Sequence, residues 1–238
     1  MALIKICGLS REEDIVAVNE AKPDYCGFII GFPKSHRNVT AERVRQLRTG
    51  LRPEIIPVGV IVDQPIEKAA MLLNEEIVNV IQLHGQEDEA YIRQLRALLK
   101  YKGESVQDSG KAKNETENDS TKQNAVPSDQ IWKAFKIRSR KDFENAMTSS
   151  ADAVVLDNGY GTGETFDWSI IEDAREMMKG RKVFLAGGLT PSNIEDAIGR
   201  MDVWGIDISS GVETDKKKDR NKILAAVQAV RRAGGNKR

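Results

Sequence analysis

Eight short apolar runs rich in β-forming residues alternate with stretches of helical periodicity along the 238-residue chain, and few folds accept that order. The runs are 2–6, 25–30, 57–62, 78–83, 131–137, 153–156, 182–186 and 204–208. Strand and helix in strict alternation call for βαβ units and a parallel sheet. Eight such units predict a (β/α)₈ barrel occupying 1–238 as one domain, a size such barrels commonly take. An open doubly wound sheet is the competing architecture. It usually has fewer strands, and its first turn carries a Gly-x-Gly-x-x-Gly signature that is missing after 2–6.

Cap residues place the helices between these runs. Ser10 reads as the N-cap of a helix over 11–21, and Thr40 opens one that runs through Arg48. Pro65 suits a first helical turn, where its missing N–H would be unpaired anyway. A helix over 87–99 carries Tyr91, Leu95, Leu98 and Leu99 at helical spacing. Ser139 caps a helix reaching Met147, and 168–178 is helical. Thr190 as N-cap with Pro191 in the first position starts another, and 218–232 is the last.

The alternation is broken once. Residues 101–130 are rich in Lys, Glu, Asp, Asn and Ser and almost free of large apolar side chains. Such a segment buries too little surface to offset chain entropy, so it reads as a flexible polar insert within the barrel. It falls between the fourth helix and the fifth strand, on the face away from the catalytic loops, and is expected to be neutral for catalysis.

Charge and composition narrow the partners. Lys+Arg and Asp+Glu both number 36, so net neutrality offers no general attraction to nucleic acid or anionic membrane. No apolar run reaches the roughly 18 residues of a membrane span, and the first residues lead straight into strand-like sequence without a signal-peptide pattern. Two cysteines make no disulfide framework, which points to the reducing cytosol and a cytoplasmic protein. The two histidines and two cysteines lack metal-ligand spacing, so no metal is expected. Monomer and homodimer both remain open.

In a barrel the chemistry sits where strands end. Gly187-Gly188 and Ser209-Ser210-Gly211 end the last two strands, the usual place for a phosphate held by backbone N–H groups. Glycines there also serve plain tight turns; their presence at both positions favours phosphate. Cys7 ends the first strand. It is either a base or nucleophile with a lowered pKa, or a buried small hydrophobe, the role that suits Cys26. Asp157 ends a strand behind Val154-Val155-Leu156. A partly desolvated carboxyl there can hold a proton and act as general acid; the alternative is a turn Asp before Asn158-Gly159. The loop 159–163 is a candidate lid or a set of turns. Arg37 offers a two-point fork for a carboxylate, yet alone it reads as a solvated surface residue, as do Lys34 and His36. His84 at the fourth tip either faces the site or is a hydrogen-bonded turn residue, and the second reading is favoured over a catalytic one.

Taken in order, these segments resemble the phosphoribosylanthranilate isomerase family. The matching residues are Lys5-Ile6-Cys7-Gly8, Pro33 to Arg37, Gln82-Leu83-His84-Gly85, Asp157 with Gly161-Thr162-Gly163 and Thr165 to Trp168, Gly187-Gly188-Leu189, and Asp207 to Glu213. The resemblance covers the chain apart from the insert. It implies a cofactor-independent Amadori rearrangement of a small phosphosugar substrate in tryptophan biosynthesis. It further implies that Asp157 acts as general acid on the ring oxygen, Cys7 as general base at C2, and Arg37 as holder of the anthranilate carboxylate. Phosphate then falls to Gly187, Gly188, Ser209, Ser210 and Gly211. An acid and a base in one pocket need opposite protonation states, so Cys7 is expected to tend towards thiolate. Three departures stand out: a short loop after Asp157, Ala186 where many relatives have Ser, and Asp215 to Asp219 in place of a Pro/Gly turn. The histidine-pathway isomerase of the same fold would use two Asp residues and symmetric phosphate loops. A non-catalytic phosphate-binding barrel would need no Cys7 facing an acid.

Overall fold

The computed structural model describes residues 1–99, 130–157, 175–201 and 203–235. Its strands are β1 (Leu3–Cys7), β2 (Tyr25–Ile30), β3 (Ile56–Ile61), β4 (Val80–Leu83), β5 (Gln130–Lys136), β6 (Ala153–Asp157), β7 (Val183–Ala186) and β8 (Gly205–Ile208). Each pairs in parallel with the next, and β8 pairs back onto β1 with Leu3 opposite Gly205 and Ile6 opposite Ile208. That last ladder closes the sheet and decides for the (β/α)₈ barrel over the open sheet. The helices are α1 (Glu12–Ala21), α2 (Ala41–Thr49), α3 (Ile66–Asn74), α4 (Glu89–Leu98), α5 (Arg140–Thr148), α6 (Arg175–Met178), α7 (Ile194–Arg200) and α8 (Arg220–Gly235). α8 packs between α7 and α1, joining the end of the helical ring to its start. No helix among the described residues is long and apolar enough to cross a membrane.

Strand periodicity sorts side chains into two cores. Ile4, Ile6, Cys26, Phe28, Ile30, Leu83 and Ile206 face outward under the helices. Tyr25, Val58, Val80, Trp132, Ala153 and Phe184 fill the barrel interior. Trp132 stands 4.9 Å from Tyr25 and 4.5 Å from Phe184, centroid to centroid, and Phe184 meets Trp204 edge-on at 5.2 Å. These rings plug the N-terminal half of the barrel, each contact adding about 0.5–1.5 kcal/mol beyond burial. Polar interior positions are left for the C-terminal half.

Several helix ends differ from the sequence expectation. The N-cap of α1 is Arg11, because the Asp14 carboxylate accepts the N–H of Ser10 at 2.9 Å and of Arg11 at 3.1 Å. An acid inside the first turn thus does what the Ser10 hydroxyl was expected to do. Pro65 stands at the N-cap of α3, one place before its first residue. α4 starts at Glu89 with Asp88 as cap, while Leu98 is 46% exposed and the buried stripe runs through Ile92, Leu95 and Leu99. Thr190 to Asn193 form a turn in which Asn193 Oδ1 accepts the Thr190 N–H, so α7 begins at Ile194. Lys218 belongs to a hairpin, and α8 starts at Arg220. Thr40 and Ser139 cap α2 and α5 as expected. Of the insert, 101–129 lies outside the described residues; Gln130 already opens β5.

Candidate active site

A cavity of about 450 Å³ opens at the C-terminal end of the strands. Cys7, Arg37, Asp157, Gly187, Gly188, Ser209 and Ser210 all line it, together with His84, Lys136 and Asp207. One pocket therefore gathers every residue to which the resemblance gives a role, except Gly211.

Cys7 is the last residue of β1 and points inward, 7% exposed. Lys5 lies two residues below it on the same face, wholly buried, with Nζ 2.7 Å from Asp207 Oδ2 across the β1–β8 ladder. Burial works against the Lys5 charge, but Asp207 overrides it and raises the Lys5 pKa. For Cys7 the balance goes the other way: burial pushes the thiol up, and the nearby Lys5 ammonium only partly opposes that. The direction of that shift favours the neutral thiol. The expected lean towards thiolate is absent because loss of water outweighs one buried cation that Asp207 has already paired. Cys26, buried and facing the helices, is the small hydrophobe it was read to be.

Asp157 closes β6 and keeps strand pairing opposite Ala186 and Lys136. It sits on the strand rather than in the turn beyond it. Its Oδ2 lies 3.2 Å from His84 Nε2. His84 was read as a turn residue; its N–H does bond Ile61 O at 2.9 Å, but the ring faces the cavity. The signal was the one used for the other candidates, a polar residue just past a strand end. The loop 159–163 lies outside the described residues.

Arg37 is 20% exposed and held at both ends of one edge: Nε to Glu213 Oε1 at 2.6 Å and Nη2 to Oε2 at 2.7 Å. It is no solvated surface arginine. Its approach needs Gly8, where a Cβ would come within 2.4 Å of Arg37 Cδ and where φ is +83°. Burial would raise the Glu213 pKa, yet hydrogen bonds from Arg37 and Lys218 hold it at about 2. Lys34 and His36 are exposed as expected.

The loops after β7 and β8, expected from the sequence to hold phosphate, have a backbone that suits an anion. Gly187 and Gly188 take φ of +86° and +63° in succession, which costs any other residue roughly 1–2 kcal/mol each. Asn193 Nδ2 donates to Gly188 O at 3.0 Å and steadies that turn. Ser210 is exposed at the rim, whereas Ser209 Oγ turns away to donate to Cys7 O at 3.0 Å. Gly211 packs against the Leu189 carbonyl and joins the two loops instead of lining the cavity. Ala186 lines the cavity where a serine would offer a hydroxyl.

Lys5, Gln82, Asp207 and Glu213 were given no role from the sequence. The first three form a polar floor under Cys7, with Gln82 Oε1 and Asp207 Oδ1 buried and unpartnered among the described residues. A charged or amide side chain at an inward position of an apolar strand was the readable sign. Among the described residues no three His, Cys, Asp or Glu side chains gather as metal ligands.

The family model described as N-(5'phosphoribosyl)anthranilate (PRA) isomerase matches residues 4–124 and 100–229. The N-(5'-phosphoribosyl)anthranilate isomerase of Clostridium kluyveri is 38% identical over 232 residues, 97% of this chain and 98% of that protein. The crystal structure of phosphoribosyl anthranilate isomerase from Thermotoga maritima superposes with a TM-score of 0.75 at 28% identity, covering 97% of this chain and 99% of that one. A further phosphoribosyl anthranilate isomerase structure, in complex with reduced 1-(o-carboxyphenylamino)-1-deoxyribulose 5-phosphate, matches at a TM-score of 0.74 and 28% identity, with 97% and 99% covered. A closed barrel whose strand tips carry Cys7, Arg37 and Asp157, matched end to end by proteins of one name, places this chain in the N-(5'-phosphoribosyl)anthranilate isomerase family.

Proposed function

We propose that this chain converts N-(5-phosphoribosyl)anthranilate into 1-(2-carboxyphenylamino)-1-deoxyribulose 5-phosphate, an Amadori rearrangement in tryptophan biosynthesis, with Asp157 as acid and Cys7 as base. The observation that carries the residue assignment is that these two line one cavity from β6 and β1, three strands apart around the barrel through β7 and β8. Family membership carries the reaction.

Asp157 protonates the furanose ring oxygen. The C1–O bond breaks as the anilino nitrogen donates its lone pair, giving a protonated Schiff base at C1. Cys7 then takes the proton from C2, and the released electron pair forms C1=C2 and neutralises the nitrogen. The resulting enolamine gains a proton at C1 and loses one from the C2 hydroxyl, leaving the ketone. No atom is gained or lost, which agrees with a reaction that needs no cofactor. The iminium charge also answers the Cys7 problem. A cation arriving beside a buried thiol lowers its pKa at the step that needs a thiolate.

The other ends of the substrate fit the remaining parts. The anthranilate carboxylate goes to Arg37. The phosphate goes to the backbone of Gly187 and Gly188 and to Ser210, with Ser209 and Gly211 shaping that loop. The test is turnover of freshly generated phosphoribosylanthranilate, followed by its fluorescence, for the intact protein beside Cys7→Ser and Asp157→Asn. Turnover by the intact protein and loss of most of the rate in both variants supports the assignment. No turnover by folded intact protein rejects the reaction; full activity in either variant rejects that residue's role.

A further inference from the structure

Lys218 is a buried cation to which the acid–base steps give no direct part. It lies in the hairpin formed by Glu213–Thr214 and Lys217–Lys218, directly opposite Glu213 in the register. Asp215 and Lys216 turn that hairpin with φ of +51° and +59°, the left-handed pair that a two-residue turn of this kind demands. Its side chain is 2% exposed. Nζ donates to Glu213 Oε1 at 2.6 Å, Ser209 O at 2.9 Å and Ser209 Oγ at 3.3 Å, so all three ammonium hydrogens are engaged.

Glu213 is therefore shared. Its Oε1 accepts from Lys218 Nζ and from Arg37 Nε, both at 2.6 Å, and its Oε2 accepts from Arg37 Nη2 at 2.7 Å. Arg37 Nη1 bonds to no described residue and forms the guanidinium edge left for a ligand. Charge counting shows what Lys218 adds. Arg37 and Glu213 alone make a neutral pair, and a substrate carboxylate placed on that pair would leave two carboxylates on one guanidinium. With Lys218 the three side chains carry +1, and an incoming carboxylate completes them to zero; the half-exposed His36 ring stands 3.7 Å from Glu213 Oε2 at the edge of this cluster. A half-buried site gains more from such neutrality than an exposed one.

We propose that Lys218 is the positioning residue of the carboxylate clamp: through Glu213 it fixes the Arg37 guanidinium and leaves the clamp one positive charge for the substrate carboxylate. This rests on the isomerase reading. Lys218 need not touch the substrate, and its bonds to Ser209 tie the clamp to the phosphate loop, so both ends of one ligand are held to one ammonium.

The test compares kcat and KM for the intact protein, K218M, R37A and the double variant K218M/R37A. We expect K218M to raise KM about tenfold while kcat stays within about threefold, since uniform binding is lost and the chemistry is not. K218R should recover most of that loss. In the R37A background K218M should change KM less than about twofold, because an effect carried by Arg37 has nothing left to act on. An unchanged KM in folded K218M overturns the proposal, and so does an equal effect of K218M in both backgrounds. If K218M does not fold, K218Q removes the charge while keeping hydrogen bonds to Ser209 and carries the same comparison. An intact protein without turnover overturns the isomerase reading and the clamp with it; normal turnover with an indifferent Lys218 overturns the clamp alone.

Discussion

Gly27 lies directly beneath the Cys7 thiol: a Cβ at that position would stand 2.8 Å from Cys7 Sγ and 3.2 Å from Cys7 Cα. The register makes the two residues partners across β1 and β2. Lys5 Cε would also be 3.0 Å from the new carbon. Gly27→Ala should therefore turn the thiol out of place. We expect kcat to fall on the order of 10²-fold, as small misplacements of reacting groups do. Stability should fall by about 1–3 kcal/mol from overpacking. Kinetics and thermal unfolding of the same preparation check this; wild-type kcat in Gly27→Ala would show that the thiol position is not critical.

His84 and Asp157 form the second linked pair, Nε2 to Oδ2 at 3.2 Å. A general acid has to deliver its proton at one place, and the His84 ring beside Oδ2 helps hold the Asp157 carboxyl in one orientation. His84→Ala should lower kcat about tenfold with a smaller change in KM, in line with general acid–base contributions of this size. His84 is 39% exposed, so the fold should tolerate the change. A KM effect with intact kcat would instead make His84 a substrate contact only.

Burial raises the thiol pKa of both Cys7 and Cys26, and the direction fixes the pH response. The unfolded chain ionises its thiols near pH 8.5 while the folded chain keeps them protonated. Stability is then full below that pH and falls above it, by up to about 1.4 kcal/mol per pH unit for each thiol. Denaturant unfolding between pH 8 and 10 should show this slope, and Cys26→Ala should flatten it. For catalysis, kcat/KM should rise with pH on the alkaline side as the small thiolate fraction of Cys7 in the free enzyme grows. A profile flat up to pH 10 would exclude Cys7 as the base.

Most of the barrel was readable because β1 to β8 carry apolar runs that only buried parallel strands need, and because cap residues such as Thr40 and Ser139 act locally. Errors came where a tertiary partner takes over a local role. Asp14 displaced Ser10 as the capping group, and pairing with Glu213 drew Lys218, expected in α8, into a hairpin. In the site, position along a strand singled out Cys7, Asp157 and the glycine loops, which line one cavity apart from Gly211. It could not reveal that Arg37 is already held by Glu213, 176 residues away, since no pattern in one sequence encodes such a contact. Nor could it give the sign of the Cys7 shift, which depends on how completely the neighbouring strands shut out water.

Gly211 provides the test of the phosphate loops. Its Cβ would lie 1.8 Å from Leu189 O and 2.9 Å from Leu189 C, and both are backbone atoms that cannot rotate aside. The loop after β7 would have to move, carrying Gly187 and Gly188 away from their present positive-φ turn. Gly211→Ala should therefore cost about 1–3 kcal/mol of stability and widen the phosphate site. The readout is competition by inorganic phosphate alongside the substrate KM. Both should weaken about tenfold together if the loops hold phosphate through their backbone, because one misplaced loop removes the same contacts from either ligand. A destabilised variant that keeps its phosphate inhibition would leave these glycines as turn residues and move the phosphate to another part of the cavity.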